Sequence, residues 1–378
     1  MERINTGSPE RAILALNCGS SSLKFGIYLC DSAAERLLAE GEAEEIGREN
    51  AGFWFAANGS KQKEQIRLAD HASALSKALT TLSKHGLPHP NAVGHRIVYG
   101  GPRVREHRIL TPAVMEELRA AAAFAPLHVP IALTVLDAAQ HDFPDLPQVV
   151  CLDTAFHHTM PDVAKTYALP VEIRNLGVER YGFHGLSIES VLAQLNPVPE
   201  RVVIAHLGNG SSVTAVRNGA SVDTSMGLTP TGGVMMGTRC GDLDPGIFVF
   251  LMRNGFASAD ELEAVFNRRS GLLGVSEKSE DVRELLAARS HDSRADLALR
   301  MFCHQVRKGI ASMAASLGGL DLLVFTGGIG EHAAGLRKEI CSGLNFMEDF
   351  EIKVMAAEED LQIARITAKL VSERERCA

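Results

Sequence analysis

Two segments about half a chain apart repeat one plan. Near the start, Ile13 to Leu16 is a short apolar run, Asn17-Cys18-Gly19-Ser20-Ser21-Ser22 is a turn, and Lys24-Phe25-Gly26-Ile27-Tyr28 resumes a strand-like pattern. Further on, Val202 to Ala205 reads as a strand, Leu207-Gly208-Asn209-Gly210-Ser211-Ser212 as a turn, and Val213 to Val216 as a strand again. Asn218-Gly219 then supplies a tight hairpin turn. A strand, a Gly-Ser-Ser turn and a strand met twice are the trace of an internal duplication. The pattern predicts two related domains, each opening with a hairpin, and 378 residues are too many for one ordinary core.

Helix signals fall between these strands, which makes the class α/β. Thr111-Pro112 pairs a capping residue with a proline in the first turn. Ser258 is expected to cap a helix ending near Gly271, and Ser279 to cap another rich in Leu and Ala. Ser293 to Leu317 reads as one long helix, with Leu297, Met301 and Ile310 among its apolar positions. No low-complexity segment or flexible linker interrupts the chain, so two closely joined domains with a cleft between them are expected.

Charge and cysteine usage exclude several classes. A net charge of -8 leaves no basic face for nucleic acid or a membrane surface. Cys18, Cys30, Cys151, Cys240, Cys303, Cys341 and Cys377 are scattered singly, without a Cys-x-x-Cys pair, as in a reducing, cytoplasmic compartment. The apolar run Ile247 to Met252 stops at Arg253, too short to span a bilayer. Met1 to Glu10 is polar, lacks the apolar core of a signal peptide, and reads as a loose tail.

Three glycine-rich turns follow apolar strands: Gly19 to Ser22, Gly208 to Ser212, and Gly327-Gly328-Ile329-Gly330. Phosphate calls for such turns, because glycine lets backbone N–H groups approach closely, and Lys24 can add charge. None matches a P-loop or a dinucleotide fingerprint. The third turn is expected to form a flat platform for a nucleoside, with Glu331 and the helix that follows finishing the wall.

Arg96, His128, Asp153, His184, His206 and Arg239 sit in unusual polar company. Together these residue types suit phosphoryl transfer to an acid. Acceptor carboxylate and triphosphate repel each other, and two arginines can neutralise and align them. A histidine can hydrogen-bond the equatorial oxygens as charge spreads, so positioning outweighs nucleophilic chemistry. Mg²⁺ needs a carboxylate or two besides phosphate oxygens and water; Asp153 and a distant glutamate fit that need. His157-His158 lacks the spacing of a zinc site, and no Gly-x-Ser-x-Gly elbow is present.

The motifs resemble the acetate kinase family, within the group of actin, Hsp70 and sugar-kinase (ribonuclease H-like) folds. The segments carrying the resemblance are Asn17 to Lys24, His95-Arg96-Ile97-Val98, Ala125-Pro126-Leu127-His128, Asp153 to His157, Arg180-Tyr181-Gly182-Phe183-His184-Gly185, His206 to Gly210, Asp223 to Gly227, Met235 to Arg239 and Phe325 to Glu331. The resemblance implies reversible, Mg²⁺- or Mn²⁺-dependent transfer of the γ-phosphoryl of ATP to acetate by a homodimer, in an interdomain active-site cleft. It implies that Arg96 and Arg239 hold the acid and the phosphoryl, that His184 stabilises the transition state, and that His128 positions the substrates. Asp153 would orient the acid or hold the metal through water.

By the same resemblance, Asn17, Lys24, His206, Leu207, Gly208, Asn209 and Gly210 would line the phosphates. Asp281, Val282, Arg283, Gly328, Ile329, Gly330, Glu331 and His332 would border adenosine. Glu359, with Asn17, would bind the metal, returning 358–378 to a first domain at 11–150 and leaving 151–357 as the second. Val98, two residues beyond Arg96 on an extended strand, is expected to meet the methyl end of the acid. Leu127 and Pro230 match further family positions lining that pocket. Tyr99, Pro102, Val129, Leu186, Ile188, Thr231-Gly232 and His332 depart from the family pattern. Two alternatives stay open: a propionate or butyrate kinase, and an ATP-binding switch or chaperone on the same fold.

Overall fold

The computed structural model describes residues 10–31, 34–122, 129–256, 258–347 and 349–377. The chain divides into two compact units, Met1–Ala155 with Glu358–Ala378, and Phe156–Ala357. Among the described residues no helix is long and apolar enough to cross a membrane.

The first unit is built on β1 (Arg11–Cys18), β2 (Leu23–Cys30), β3 (Glu35–Glu44), β4 (Ala51–Ala57), β5 (Ser60–Ile66), β6 (Ala92–Ile97), β7 (Arg108–Ile109) and β8 (Gln148–Leu152). They form one sheet in the order β5-β4-β3-β2-β1-β6-β8-β7. From β1 to β5 the strands are antiparallel neighbours, whereas β1, β6 and β8 run parallel. A boundary at 150/151 would cut β8; the strand stays whole because its backbone completes the ladder of β6. β5 lies at a sheet edge and is almost wholly exposed, and its Lys61, Lys63 and Glu64 discourage pairing with another strand.

The first unit's core joins Leu14, Leu16, Phe25, Phe53 and Phe55 of the sheet to Leu75 and Val135 of two helices, His71–Lys84 and Val129–Asp142. The helix Glu359–Cys377 packs on β1, β2 and β6. Gly94 permits that approach, since a Cβ there would meet Ile363 at 2.7 Å. Thr111 accepts from Val114 N and caps the helix Pro112–Ala121.

The second unit carries β9 (Arg201–Leu207), β10 (Ser211–Arg217), β11 (Ala220–Thr224), β12 (Leu322–Thr326) and β13 (Glu351–Val354), in the order β11-β10-β9-β12-β13. β9, β10 and β11 are antiparallel, while β12 runs parallel to both β9 and β13. The same arrangement of antiparallel and parallel strands recurs in the first unit as β3-β2-β1-β6-β8. This recurrence is the duplication that the paired strand-turn-strand motifs announce. Asn218 and Gly219, at φ 51° and 79°, make the β10–β11 turn.

Ser293–Leu317 is one helix, opened by Asp292 and closed by Gly318 at φ 70°. Ala298, Phe302, Val306, Ile310 and Leu317 form its buried stripe. Leu297 is 42% exposed and lies off that stripe. The helix capped by Ser258 ends at Arg268, and Gly271 opens a separate short helix, Gly271–Ser276. Ser279 is not the cap of the following helix. Asp281 caps Val282–Ala288, because its carboxylate accepts from Arg283 N and pairs with the Arg283 guanidinium, while Ser279 Oγ accepts from Asp281 N.

Candidate active site

In the first unit the parallel strands end side by side, and their C-terminal ends carry the polar residues. Leu16 pairs with His95, and Arg96 with Cys151, so Asn17, Arg96 and Asp153 fall at one edge of the sheet. Arg96 Nε donates to both Asp153 oxygens at 3.1 Å, and Nη2 donates to Oδ2 at 2.6 Å. Arg96 Nη1 donates to Asn17 Oδ1 at 3.2 Å. Asn17 Nδ2 in turn donates to Glu359 Oε2 at 3.2 Å and to Asp360 Oδ1 at 2.8 Å. Asn17 therefore spans the arginine and two carboxylates with its amide.

Burial and charge compete in this group. Burial opposes the Arg96 charge, but Asp153 and Glu359 outweigh it and raise the guanidinium pKa. Burial pushes the Asp153 carboxyl up, and Arg96 draws it back. Asp360 is raised by burial against the pull of Asn17 and Lys24. Burial also holds the Cys18 thiol up at about 12, so it stays protonated beside Arg96. The first glycine turn is tied from two sides: His71 Nε2 donates to Gly19 O at 3.0 Å, and Ile46 N donates to Ser21 O at 3.0 Å. Lys24 is exposed and lies across the ladder from Glu42. Val98 is buried one residue past the end of β6, in a bend beyond the ladder. Leu127 and His128 lie outside the described residues.

In the second unit His184 precedes the helix Gly185–Ala193 in a left-handed conformation, φ 61°. Its Nδ1 is 3.0 Å from Ser212 Oγ, and its ring lies 4.2 Å from that of His206. A Cβ at Gly210 would stand 3.2 Å from His184 Nε2 and 3.3 Å from Arg239 Nη1. The glycine turn after β9 thus runs directly past both side chains. Arg239 Nη1 also donates to Pro230 O at 3.1 Å. His206 Nε2 faces Gly327, where a Cβ would lie 3.2 Å away.

A cavity of about 500 Å³ opens beside this turn. Gly208 and Asn209 form one wall, Glu280 to Arg283 with Leu286 a second, and Gly328, Ile329, His332 and Ala333 a third. Residues expected at phosphate and at adenosine thus share one space. The Arg283 side chain pairs with Asp281 and lowers that carboxyl's pKa. The third glycine turn is not a flat platform: Gly327–His332 is a short helix. Glu331 does not line the cavity; its Oε1 accepts from Gly327 N at 3.0 Å and from Ala357 N at 3.3 Å. Gly330 and Leu207 are buried against each other beneath it.

A sequence model described as the Acetokinase family matches residues 12–372. The chain belongs to the acetokinase family. It is 44% identical over 348 residues to acetate kinase 2 of Neisseria meningitidis serogroup B, covering 89% of this chain and 87% of that one. It is 39% identical over 395 residues to the acetate kinase of Clostridium novyi, covering 95% and 98%. Among solved structures it is similar to a propionate kinase from Francisella tularensis, with TM-score 0.88 and 38% identity over 95% of this chain and 100% of that one. The Porphyromonas gingivalis acetate kinase gives TM-score 0.84 and 35% identity over 96% and 100%.

For the magnesium that the acetokinase resemblance implies, Glu359 and Asp360 carry hard oxygen donors beside Asn17, while both Asp153 oxygens are taken up by Arg96. No group of three or more His, Cys, Asp or Glu among the described residues is set to cage a metal. Mg²⁺ takes one or two carboxylates besides phosphate oxygens and water. Asn17, with its amide nitrogen toward the carboxylates and its oxygen toward Arg96, is poorly placed as a direct ligand.

Two histidines that stood out in the sequence are structural. His95 Nε2 donates to Gln148 Oε1 at 2.6 Å, and His157 Nε2 donates to Phe183 O at 3.0 Å. Asp360, Glu280, Leu286 and Ala333 are members of these groups that sequence reasoning did not single out. Asp360, Glu280 and Ala333 each adjoin a residue that it did, and Leu286 lies one helical turn beyond Val282 and Arg283, so only the fold decides which of them faces inward.

Proposed function

We propose that the chain is an acetate kinase, transferring the γ-phosphoryl of ATP to acetate to give acetyl phosphate and ADP, reversibly. A carboxylate oxygen attacks the γ-phosphorus in line as the bond to the β–γ bridging oxygen breaks, and ADP leaves with that oxygen. The observation that carries this reading is Gly210 lying against both His184 Nε2 and Arg239 Nη1. It places a neutral or charged N–H donor and a guanidinium at a glycine turn whose neighbours line a nucleotide-sized cavity. Family membership over most of the chain supports the same conclusion.

In this reading Arg96, held rigid by Asp153 and Asn17, binds the acid carboxylate. Arg239 and His184 take up the charge on the transferring phosphoryl. The adenosine occupies the cavity between Asp281 to Arg283 and Gly328 to His332. Magnesium near Glu359 would offset phosphate charge when bound with the nucleotide. The buried carboxylates stay close to Arg96, so none of them is needed as a base: the attacking acid is already ionised at neutral pH.

Propionate is the second reading, favoured by the solved Francisella propionate kinase. A nucleotide switch hydrolysing ATP has less support, because water needs no anion clamp like Arg96. Hydroxylamine trapping of acyl phosphate, with ATP, Mg²⁺ and a panel of acids, tests all three. Trapped product with acetate is the expected result; ADP release without acyl phosphate would overturn the reading. A homodimer belongs to the same proposal. The helix Gly246–Arg253 exposes Val249, Phe250 and Met252, an apolar face that a second copy would cover, and sedimentation tests it.

A further inference from the structure

Ser187 and Ser212 bind two neighbouring histidines, their rings tilted 31° to each other, crosswise. Ser212 lies opposite His206 in the β9–β10 ladder, yet its hydroxyl is 3.0 Å from His184 Nδ1. Ser187 follows His184 by three residues on the helix Gly185–Ala193, yet its hydroxyl is 2.7 Å from His206 Nδ1. Each histidine is thus held by the serine that chain geometry associates with the other. Both serines are fully buried, at 0% exposure.

The direction of these bonds follows from satisfiability. A hydroxyl carries one hydrogen and can also accept. Neither serine hydroxyl has another hydrogen-bond partner among the described residues. A buried hydroxyl hydrogen without an acceptor is costly, so each Oγ–H donates to Nδ1. An Nδ1 that accepts carries no hydrogen, and a neutral ring then bears its proton on Nε2. His184 Nε2 is the atom beside Gly210, and His206 Nε2 the atom beside Gly327.

We propose that Ser212 and Ser187 are positioning residues that fix His184 and His206 as Nε2–H tautomers, turning a neutral N–H donor from each ring toward the glycine turns. The rings lie 4.2 Å apart, a separation that two imidazolium ions would resist and two neutral rings accept. The ligand served is the phosphate chain of the nucleotide, with positive charge supplied by Arg239. The inference rests on the reading of His184 as a transfer residue, and it assigns to two serines the orientation of that group.

The test is long-range ¹⁵N–¹H NMR of the histidine rings in the full-length protein at pH 7.5, with peaks assigned by their loss in His184→Gln and His206→Gln. Both rings are expected as Nε2–H tautomers in the unmodified protein. Ser212→Ala should release the His184 tautomer and leave His206 unchanged; Ser187→Ala should do the reverse. With acetate and ATP, Ser212→Ala should lower kcat about 10- to 100-fold while KM for ATP stays within about twofold, and Ser212→Thr should recover much of the loss. An Nδ1–H signal for His184 in the unmodified protein would overturn the brace, even if Ser212→Ala fails to fold. So would an unchanged His184 signal in folded Ser212→Ala. Full turnover by His184→Gln would instead overturn the transfer role on which the inference rests, which the spectrum alone does not address.

Discussion

Arg96 grips Asp153 along one edge of its guanidinium, with Nε shared between both carboxylate oxygens at 3.1 Å and Nη2 on Oδ2 at 2.6 Å. Asp153 is thereby committed to the arginine and is poorly suited to accept a proton from substrate. In the proposed mechanism it fixes the guanidinium, whose Nη1 lies toward Asn17 Oδ1 and Cys18 O, for an incoming anion. Asp153→Asn keeps the shape and removes the charge. We expect kcat for acyl phosphate formation to fall about 100-fold. Removing one partner of a buried pair also destabilises by about 3–5 kcal/mol. Urea unfolding and the trapping assay measure the two effects; normal turnover in a folded Asp153→Asn would remove Asp153 from the site.

Arg239 should be demanding for rate. Its Nη1 donates to Pro230 O at 3.1 Å and lies beside Gly210, where the transferring phosphoryl is proposed to sit. Loss of one such donor costs on the order of 10²–10³ in rate. Arg239→Ala should show that loss in kcat at saturating ATP and acetate. Near-normal turnover would refute the role.

Gly210→Ala tests the same place by adding atoms. Its methyl would stand 3.2 Å from His184 Nε2 and 3.3 Å from Arg239 Nη1, tight contacts that displace one or both groups. Misplacement by about 1 Å can cost 100-fold. We expect a 10- to 100-fold drop in kcat with a change in urea midpoint small enough to leave the protein folded at room temperature. Retained activity would show that neither group acts through its position at this turn.

The two structural histidines give a pH signature. Burial holds His95 and His157 at about 4, below the ordinary 6.5. Between those values the unfolded chain binds protons that the folded chain refuses. Their contribution is therefore complete above pH 6.5 and is lost as pH falls toward 4, at about 1.4 kcal/mol per pH unit for each ring. Unfolding free energy should drop by roughly 1–3 kcal/mol from pH 7.5 to 5.5. Replacing His157 with Gln should flatten that slope. An unchanged slope would mean that His157 is charged or exposed in the folded state.

What the sequence made legible is what local chemistry decides. The duplicated hairpins were readable because apolar runs and Asn-Gly are short-range signals, and the long helix because apolar positions recur along Ser293 to Leu317. β3 was not, since Glu35-Arg36-Leu37-Leu38-Ala39-Glu40 has helix-forming composition and becomes a strand only through pairing with β2 and β4. Ser279 and Asp281 are both capping types, and the arginine two residues after Asp281 decided between them. Gly327 to Gly330 reads as a turn by composition but is wound into a helix by the chain after β12, with Glu331 reaching back to Gly327 N. Ser187 carries no sequence signal and Ser212 only that of its glycine turn, because a serine gains its histidine partner only when another element delivers it.

Acid length is the most discriminating prediction. Val98 follows Arg96 by two residues and is buried, at 7% exposure. β6 ends at Ile97, and Asp153 N still donates to Ile97 O at 3.0 Å, so the chain stays paired up to the residue before Val98. The alternation that would set Val98 beside Arg96 therefore runs one step past the ladder. If that step holds, the methyl end of an acid whose carboxylate Arg96 binds meets a β-branched side chain with little freedom at χ1. One methylene in such a pocket is worth about 1–3 kcal/mol, or roughly 10–200-fold in kcat/KM. Acetate should exceed propionate within that range, and butyrate should be weaker still. Val98→Ala should narrow or reverse the ratio, chiefly through the KM of propionate. The competing account is that Val98 only fills the core behind the bend; it predicts a less stable variant with the acetate-to-propionate ratio unchanged. Equal kcat/KM for the two acids in the unmodified protein would rule out Val98 as the wall of the pocket, whatever Arg96 binds.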